Sequence, residues 1–114
     1  MDGKYIETIA LPGSFVCRPV IKGKMIYAAV FRSGYNTNRG SGYITILDAN
    51  NRVVSTPGGS APEYVHGALL PQQQAEKLFI HPHDVCVDDE ENIYVCQWNA
   101  GKTYPVKLQR VAVS

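Results

Sequence analysis

The triplet Pro82-His83-Asp84 contains the side chains of this sequence that are best placed to do chemistry. A neutral imidazole binds zinc, and a carboxylate beside a metal-bound histidine commonly fixes the orientation of its ring. His83 is therefore a candidate metal ligand, with Asp84 as its orienting partner. The alternative is a structural role, in which the His83 ring bonds to backbone or water and Asp84 bonds nearby amides at the start of a strand.

The other two histidines are His81 and His66. We expect His81 to point away from His83, so that the two rings do not bind one ion. His66 lies in a long polar segment, where it either reaches a ligand pocket or stays exposed in a loop. A catalytic zinc takes three protein ligands and an open position, so one copy of His83 does not complete such a site.

A second candidate site consists of aromatic and polar side chains that flank the predicted strands. Its members are Trp98, Asn99, Tyr35, Arg39, Lys102 and His66, with Tyr104 beside them. An aromatic wall edged by amide and cationic groups suits a small polar or sugar-like ligand. The alternative is that Trp98 and Tyr104 fill gaps between sheets.

Two further clusters are predicted to be structural. The three cysteines, Cys17, Cys86 and Cys96, have no CxxC spacing, so we expect buried, reduced thiols rather than disulfides or a four-thiolate zinc site. The acidic run 88–91 lacks the spaced oxygens and the glycine of an EF-hand loop, and we expect a solvated turn there instead of a calcium site. Zinc at His83 is the one cofactor that the sequence suggests.

The composition describes an ordinary folded domain. The 114 residues are 45% hydrophobic and 18% charged with a net charge of +1, which is not the basic excess of a nucleic-acid-binding domain. No apolar run approaches the roughly 20 residues that cross a bilayer, and the first residues lack the order of a signal peptide. We expect a cytoplasmic protein with no nucleic-acid or membrane partner.

Short alternating runs rich in Val, Ile and Tyr recur along the chain, whereas helical periodicity is nearly absent. The pattern predicts an all-β fold. The predicted strands are 5–10, 15–21, 25–31, 43–47, 52–56, 84–87, 93–97 and 106–113. One helical turn is predicted at 70–77, inside the long connection 57–82.

The sequence contains an internal repeat of this strand pattern. RPVIKGKMIYAAV, which starts at Arg18, aligns with VCVDDEENIYVCQ, which starts at Val85, so that Tyr27 lies over Tyr94. The first copy continues as GYITILDANNRVVST, which adds two more strands. The second copy stops at Ser114 one strand short, and the start of the chain, DGKYIETIALPG, supplies a turn and a strand of the missing kind.

The segment HPHDVCVDDEENIYVCQWN resembles the NHL repeat of six-bladed β-propellers, in which a Pro-His or Pro-Asx start leads into an apolar strand, an Asp-rich turn and an Ile-Tyr-Val strand. The resemblance is closest over residues 80–113, weaker over 14–56 and absent over 57–79. It implies two four-stranded propeller blades in one chain.

The first copy departs from the NHL pattern at its start. Val16 and Cys17 stand where the second copy has His83 and Asp84. Only the second copy therefore supplies the Pro-His start.

The resemblance divides the single domain into four parts. Residues 1–12 form the outer strand of a shared blade, 13–56 a complete blade, 57–82 a long inserted loop, and 83–114 three strands of the second blade. Two blades do not close a propeller, so we expect further chains to close it. If strand 5–10 completes the second blade of a neighbour, the head-to-tail contact closes a ring.

Three copies in that ring would give the six blades of the resembled family, and two copies would give four. The chain is otherwise a piece of a longer propeller. The predicted partner is thus the chain itself, as a homo-oligomer with strand exchange.

The long loops 33–42, 57–82 and 98–103 are predicted to share one face of the propeller, and loops on a rigid scaffold usually carry binding. The predicted function is the binding of a small-molecule or peptide ligand at this face and at the central channel. The sequence is also similar to the peptidyl-hydroxyglycine amidating lyase branch of the family, whose zinc histidines come from Pro-His or Ala-His-Asp starts. Of those residues only His83 carries over, which makes a zinc-dependent lyase or hydrolase the alternative function.

Overall fold

The computed structural model describes residues 3–33, 41–98, 100–102 and 104–111. Those residues form antiparallel sheets and no helix, which confirms the all-β prediction. The nine strands are β1 (Phe15–Lys22), β2 (Met25–Arg32), β3 (Tyr43–Leu47), β4 (Val53–Ser55), β5 (Tyr64–Val65), β6 (Ala68–Leu69), β7 (Pro82–Val87), β8 (Ile93–Gln97) and β9 (Val106–Leu108).

The chain contains two larger sheets built in the same order. Sheet 1 is β1-β2-β3-β4 and sheet 2 is β7-β8-β9, with each strand antiparallel to the next. Strand β1 carries a bulge between Val16 and Pro19, and β7 carries one between Pro82 and Asp84. The internal repeat therefore extends to the same irregularity at the same end of the first strand.

The pairing registers correct the sequence alignment by one residue on the first strands. Val20 pairs with Tyr27 seven positions later, whereas Cys86 pairs with Tyr94 eight positions later, so the β7–β8 hairpin contains one extra residue. As a result Arg18 and Asp84, which are 66 positions apart, occupy equivalent positions. The residue equivalent to His83 is Cys17, whereas the sequence alignment set His83 over Val16.

The tight turns before β2, β4 and β8 share one backbone feature. A residue with a left-handed conformation lies two positions before the strand: Gly23 (φ 61°) before β2, Asn51 (φ 61°) before β4 and Glu91 (φ 64°) before β8. Gly and Asn adopt this conformation readily. β2, β4 and β8 therefore begin at the same spacing after a left-handed residue.

The acidic run 88–91 forms one of these turns. Asp88 Oδ1 accepts hydrogen bonds from the amides of Glu90 at 3.0 Å and Asn92 at 2.9 Å. These bonds stabilise the ionised carboxylate, and with the Asn92 amide as the largest cause they lower the pKa of Asp88. The predicted turn is confirmed, and Asp88 organises it.

Sheet 2 packs against sheet 1 through an apolar core, with β7 lying on β1 and β2. The buried members of this core are Tyr27, Ala29, Ile44, Ile46, Phe79, Val85, Ile93 and Val95. Burying one such side chain contributes about 1.5–3 kcal/mol, whereas an exposed ion pair contributes much less. Two exposed pairs join the sheets: Arg18 with Asp84 and Lys22 with Asp89. They therefore fix the alignment of β1 with β7 more than they stabilise the fold.

The connection 57–82 is tied to both sheets. It contains the small hairpin β5–β6, and its Phe79 ring, 1% exposed, belongs to the core between the sheets. The helical turn predicted at 70–77 is wrong: Gln74 forms an antiparallel bridge with Gly59. The Gln74 side chain donates hydrogen bonds to the carbonyls of Gly42 at 3.1 Å and Phe79 at 3.0 Å. Side-chain bonds to backbone hold this segment in an irregular, extended form.

The N-terminal segment 3–11 lies outside the sheets. The strand predicted at 5–10 pairs with none of the strands that the structure describes. Tyr5 is 75% exposed and Ile6 is 85% exposed. Glu7 Oε1 accepts a hydrogen bond of 3.0 Å from Asn51 Nδ2, which places the segment beside the turn before β4.

Candidate ligand-binding site

Four rings meet where β2 ends and β7 begins. Phe31 stacks on His81, with ring centroids 4.8 Å apart and an interplanar angle of 16°. The His83 ring meets Phe31 edge-on at 6.2 Å, and the Trp98 ring is tilted against it at 5.8 Å. Such pairs contribute about 0.5–1.5 kcal/mol each beyond the area they bury. Phe31 is thus the centre of an aromatic cluster, which comprises Phe31, His81, His83 and Trp98.

Two hydrogen bonds that involve backbone atoms join His81 and Trp98. The Trp98 amide donates to the His81 carbonyl at 2.9 Å. The His81 Nδ1 atom lies 3.2 Å from the Trp98 carbonyl oxygen, within hydrogen-bonding distance. His81 is buried at 6% exposure, whereas Trp98 is 54% exposed. His81 therefore supports the site from inside, and Trp98 presents a ring to the outside.

An open cavity of about 570 Å³ lies against this cluster. It is lined by Ser14, Phe15, Val16, Cys17, Phe31, His83 and Trp98. Its walls come from the start of β1, the end of β2, the start of β7 and the residue after β8. The cavity therefore lies at one end of both sheets, the end from which the connections 33–42 and 57–82 leave.

The walls of the cavity come from equivalent positions of the two sheets. Phe31 and Trp98 follow the two Ile-Tyr strands at the same distance from Tyr27 and Tyr94. Cys17 and His83 are equivalent on the first strands, at the shared bulge. The repeat thus places aromatic rings and a polar group at the same end of each sheet.

The cavity is largely uncharged. Burial, and secondly the nearby Asp84 carboxylate, raise the pKa of the Cys17 thiol, so Cys17 is neutral at pH 7. The Arg32 guanidinium lies over the Phe15 ring at 4.6 Å from its centroid. A neutral thiol is a weak nucleophile, and the site offers apolar surface instead. Its geometry suits the binding of a flat or apolar group.

Asp84 is engaged away from the His83 ring. Its carboxylate pairs with Arg18 at 3.1 Å and accepts a 2.8 Å hydrogen bond from the Val85 amide. This is the structural role that the sequence left open for Asp84. Within the described residues, no three His, Cys, Asp or Glu side chains lie close enough together to hold a metal ion.

The expectation that His81 points away from His83 is wrong. Both rings contact Phe31, His81 by its face and His83 edge-on. His81 lies just before β7 and is buried, whereas His83 lies at the bulge of β7 and is exposed. His81 is nevertheless occupied by its stacking and its contact with the Trp98 carbonyl.

The structure brings two of the predicted site residues together and leaves others apart. His83 and Trp98 line one cavity. His66 is exposed at the tip of the β5–β6 hairpin, with φ 51°, and Lys102 is exposed; neither lines that cavity. Tyr104 is 89% exposed, so it fills no gap between the two sheets of this chain. Tyr35, Arg39 and Asn99 lie outside the described residues.

Phe31 and Phe15 are the site residues that the sequence analysis missed. Phe31 follows AAV as Trp98 follows VCQ, so the repeat alignment, continued by one residue, sets it over Trp98. That equivalence was a usable signal for Phe31. Phe15 had no such signal, because its place in the cavity depends on the packing of β1 against β7.

The cysteine prediction is partly wrong. The three thiols are free, but Cys86 and Cys96 are exposed and Cys17 is only half-buried. Cys86 and Cys96 lie on the face of sheet 2 that is turned away from the core, because Val85 and Val95 take the inward positions. An exposed thiol on a sheet face is unusual for a residue type that is commonly buried.

Comparison with known proteins gives no relative: no family model, no curated protein and no solved structure matches this chain. Among the residues described, no helix has the length and apolar character required to cross a membrane.

Proposed function

We propose that this chain is a binding module of an NHL-like β-propeller assembled from several copies, and that the cavity beside Phe31 holds its ligand. The observation that carries the proposal is the convergence of Phe31, His83 and Trp98 on one open cavity. Apolar and aromatic walls with a few polar groups are typical of small-ligand sites. The ligand chemistry that fits is a flat, uncharged group with a polar edge for His83.

The propeller part of the proposal is supported by the repeat. Two sheets of the same strand order, with a bulge at the same place, pack with their first strands against each other. The ion pair of Arg18 with Asp84 joins equivalent positions of those strands. Radially arranged blades bring equivalent positions of their inner strands close in this way. Three copies of such a chain make six blades.

Trp98 gives the proposal a direct readout, because it is the one tryptophan in the sequence. A ligand that enters the cavity changes the environment of this ring and therefore its fluorescence. We expect a small library of neutral aromatic compounds to contain members that shift the emission saturably. In Phe31→Ala the same compounds should bind at least about tenfold more weakly, because the central ring of the cluster is lost.

Val65→Ala is the matched control for that titration. Val65 is 42% exposed on the β5–β6 hairpin and does not line the cavity. Its removal should leave the titration unchanged. Equal affinity of wild type and Phe31→Ala, or a library without any saturable shift, would count against a ligand site at the cavity.

A zinc-dependent lyase or hydrolase that uses copies of His83 is the second candidate. The observation in its favour is that His83 is exposed at the cavity and that its ring takes part in none of the hydrogen bonds found among the described residues. A threefold ring would bring three such imidazoles towards one axis, which is the ligand number of a catalytic zinc. Elemental analysis of tag-free protein tests this: one ion per three chains, lost in His83→Ala, supports it, and metal-free protein after growth with added zinc contradicts it.

A further inference from the structure

Among the described residues, sheet 2 ends at β9. Strand β9 pairs with β8 as β3 pairs with β2: Leu108 lies opposite Ile93, and Leu47 lies opposite Ile26. In sheet 1 the other edge of β3 is covered by β4. None of the described strands covers the corresponding edge of β9. An uncovered edge presents unpaired amides and carbonyls that another strand can bind.

A groove adjoins this open edge. Its volume is about 760 Å³, and it separates the β2–β4 side of sheet 1 from β9 and the residues after it. Apolar side chains line both walls: Tyr27, Ile46 and Val54 on one side, Leu108 and Val111 on the other. Val54 is 48% exposed and Val111 is 74% exposed. A strand added to β9 would lie along this groove and cover both side chains.

The N-terminal segment has the backbone signals of a fourth strand. Gly3 has φ 62°, and Tyr5 follows it by two positions, which is the spacing that begins β2, β4 and β8. The segment ends in Pro12-Gly13, with φ 78° at the glycine, just as β4 is followed by Pro57-Gly58, with φ 82°. The same start and end features thus bracket β4 and residues 4–11.

Three large apolar side chains of the segment are exposed in the part of the chain that the structure describes. Tyr5, Ile6 and Ile9 are 75%, 85% and 37% exposed. It leads into β1 through Ser14, whose hydroxyl lies 2.6 Å from the Tyr43 hydroxyl. Asn51 Nδ2 donates a hydrogen bond to Glu7 Oε1, so the segment lies beside the turn before β4 of its own sheet 1, and it does not pair with its own β9.

We propose that residues 4–11 of one copy bind as a strand to the β9 edge of a second copy and fill the groove beside it. This proposal rests on the assembly of several copies in the proposed function, and it specifies the contact that joins them. The fourth position of sheet 2 would then hold the segment that carries fourth-strand signals. Main-chain hydrogen bonds to β9 supply the affinity, and the alternate side chains of the segment meet the groove on one face. Because each chain gives one strand and accepts one, the contact is head-to-tail.

Light scattering on the tag-free chain, with Ile6→Asp and Val65→Asp as matched variants, tests the contact. Both variants place one carboxylate at an exposed apolar position, and Val65 lies on the β5–β6 hairpin and does not line the groove. We expect wild type and Val65→Asp to associate and Ile6→Asp to be a monomer with the same circular dichroism spectrum. A folded wild-type monomer at every concentration, or an Ile6→Asp chain that still associates, would overturn the proposal.

A peptide of residues 3–13 gives a second, independent test. The monomeric Ile6→Asp chain should keep an open β9 edge and bind the labelled peptide, while a peptide carrying the same substitution should not bind. Combining Val111→Asp with Ile6→Asp should weaken peptide binding at least about tenfold, because Val111 lines the groove. Absence of peptide binding to the monomeric variant overturns the proposal. Trp98 titrations on Ile6→Asp show separately whether the ligand site is intact.

Discussion

Gly42 lies directly against Pro82 and the Val30 carbonyl. We therefore predict that Gly42→Ala disrupts both the packing of the sheets and the aromatic cluster. A β-carbon at Gly42 would lie 2.3 Å from Pro82 Cδ and 2.6 Å from the Val30 carbonyl oxygen. Overpacking typically costs about 1–3 kcal/mol, and neither a proline ring nor a backbone carbonyl can rotate away. We therefore expect a loss in the upper part of that range, about 2–3 kcal/mol, or about 10 °C in melting temperature.

The effect should reach the candidate site because Pro82 precedes His83 and Val30 precedes Phe31. Urea unfolding gives the change in stability, and Trp98 emission in the folded state reports the change at the cluster. Gly23→Asn is the control: nothing lies within 4 Å of a β-carbon there, and Asn tolerates its φ of 61°. If Gly42→Ala were as stable as wild type, with unchanged Trp98 emission, the reasoning about this approach would be refuted.

Three further predictions concern the core, the acidic turn and the outer face of sheet 2. Phe79→Ala should destabilise the fold by about 3–5 kcal/mol in urea unfolding, whereas Leu78→Ala, at a 43% exposed position, should cost less than about 1 kcal/mol; equal losses would contradict the place of Phe79 in the core. The folded state lowers the pKa of Asp88, so its stabilisation is present above about pH 4 and is lost as the pH falls through the lower folded value. Urea unfolding at pH 7 and pH 3 should show a smaller acid loss for Asp88→Asn than for wild type, and an identical loss would count against this contribution. If the copies assemble as proposed, the exposed thiols of Cys86 and Cys96 should react more slowly with a thiol reagent at high protein concentration than at low concentration; concentration-independent rates would mean that no neighbour covers this face.

Much of the sheet structure was predictable because local patterns determine it. The predicted strands 43–47 and 93–97 have the observed bounds of β3 and β8, and 25–31 differs from β2 by one residue. Alternating or continuous Val, Ile and Tyr runs between turn residues carry this information in the sequence itself.

The long connection shows where local patterns fail. LPQQQAEK contains good helix formers, but the glutamine side chains bond to distant carbonyls instead, Gln72 to Ser60 at 2.7 Å and Gln74 to Gly42 at 3.1 Å. Tertiary hydrogen bonds of this kind override a weak helical preference. The hydrophobic pattern of the segment does not indicate these hydrogen bonds.

The candidate site was predictable by residue type but not by arrangement. His83 and Trp98 were identified from the sequence, while the central ring, Phe31, was missed. The extra residue in the turn between β7 and β8 shifted the equivalence of the first strands by one position, so the counterpart of His83 was misplaced. A shift of one residue exchanges the two faces of a strand, and only the pairing register reveals it.

Hydrogen–deuterium exchange of the amides of residues 5–10 tests the assembly most directly. We predict that protection of this segment rises with protein concentration together with that of β9, while protection of β3, which is buried inside one chain, stays constant. Exchange of residues 5–10 at the rate of an unstructured peptide at every concentration would contradict the account.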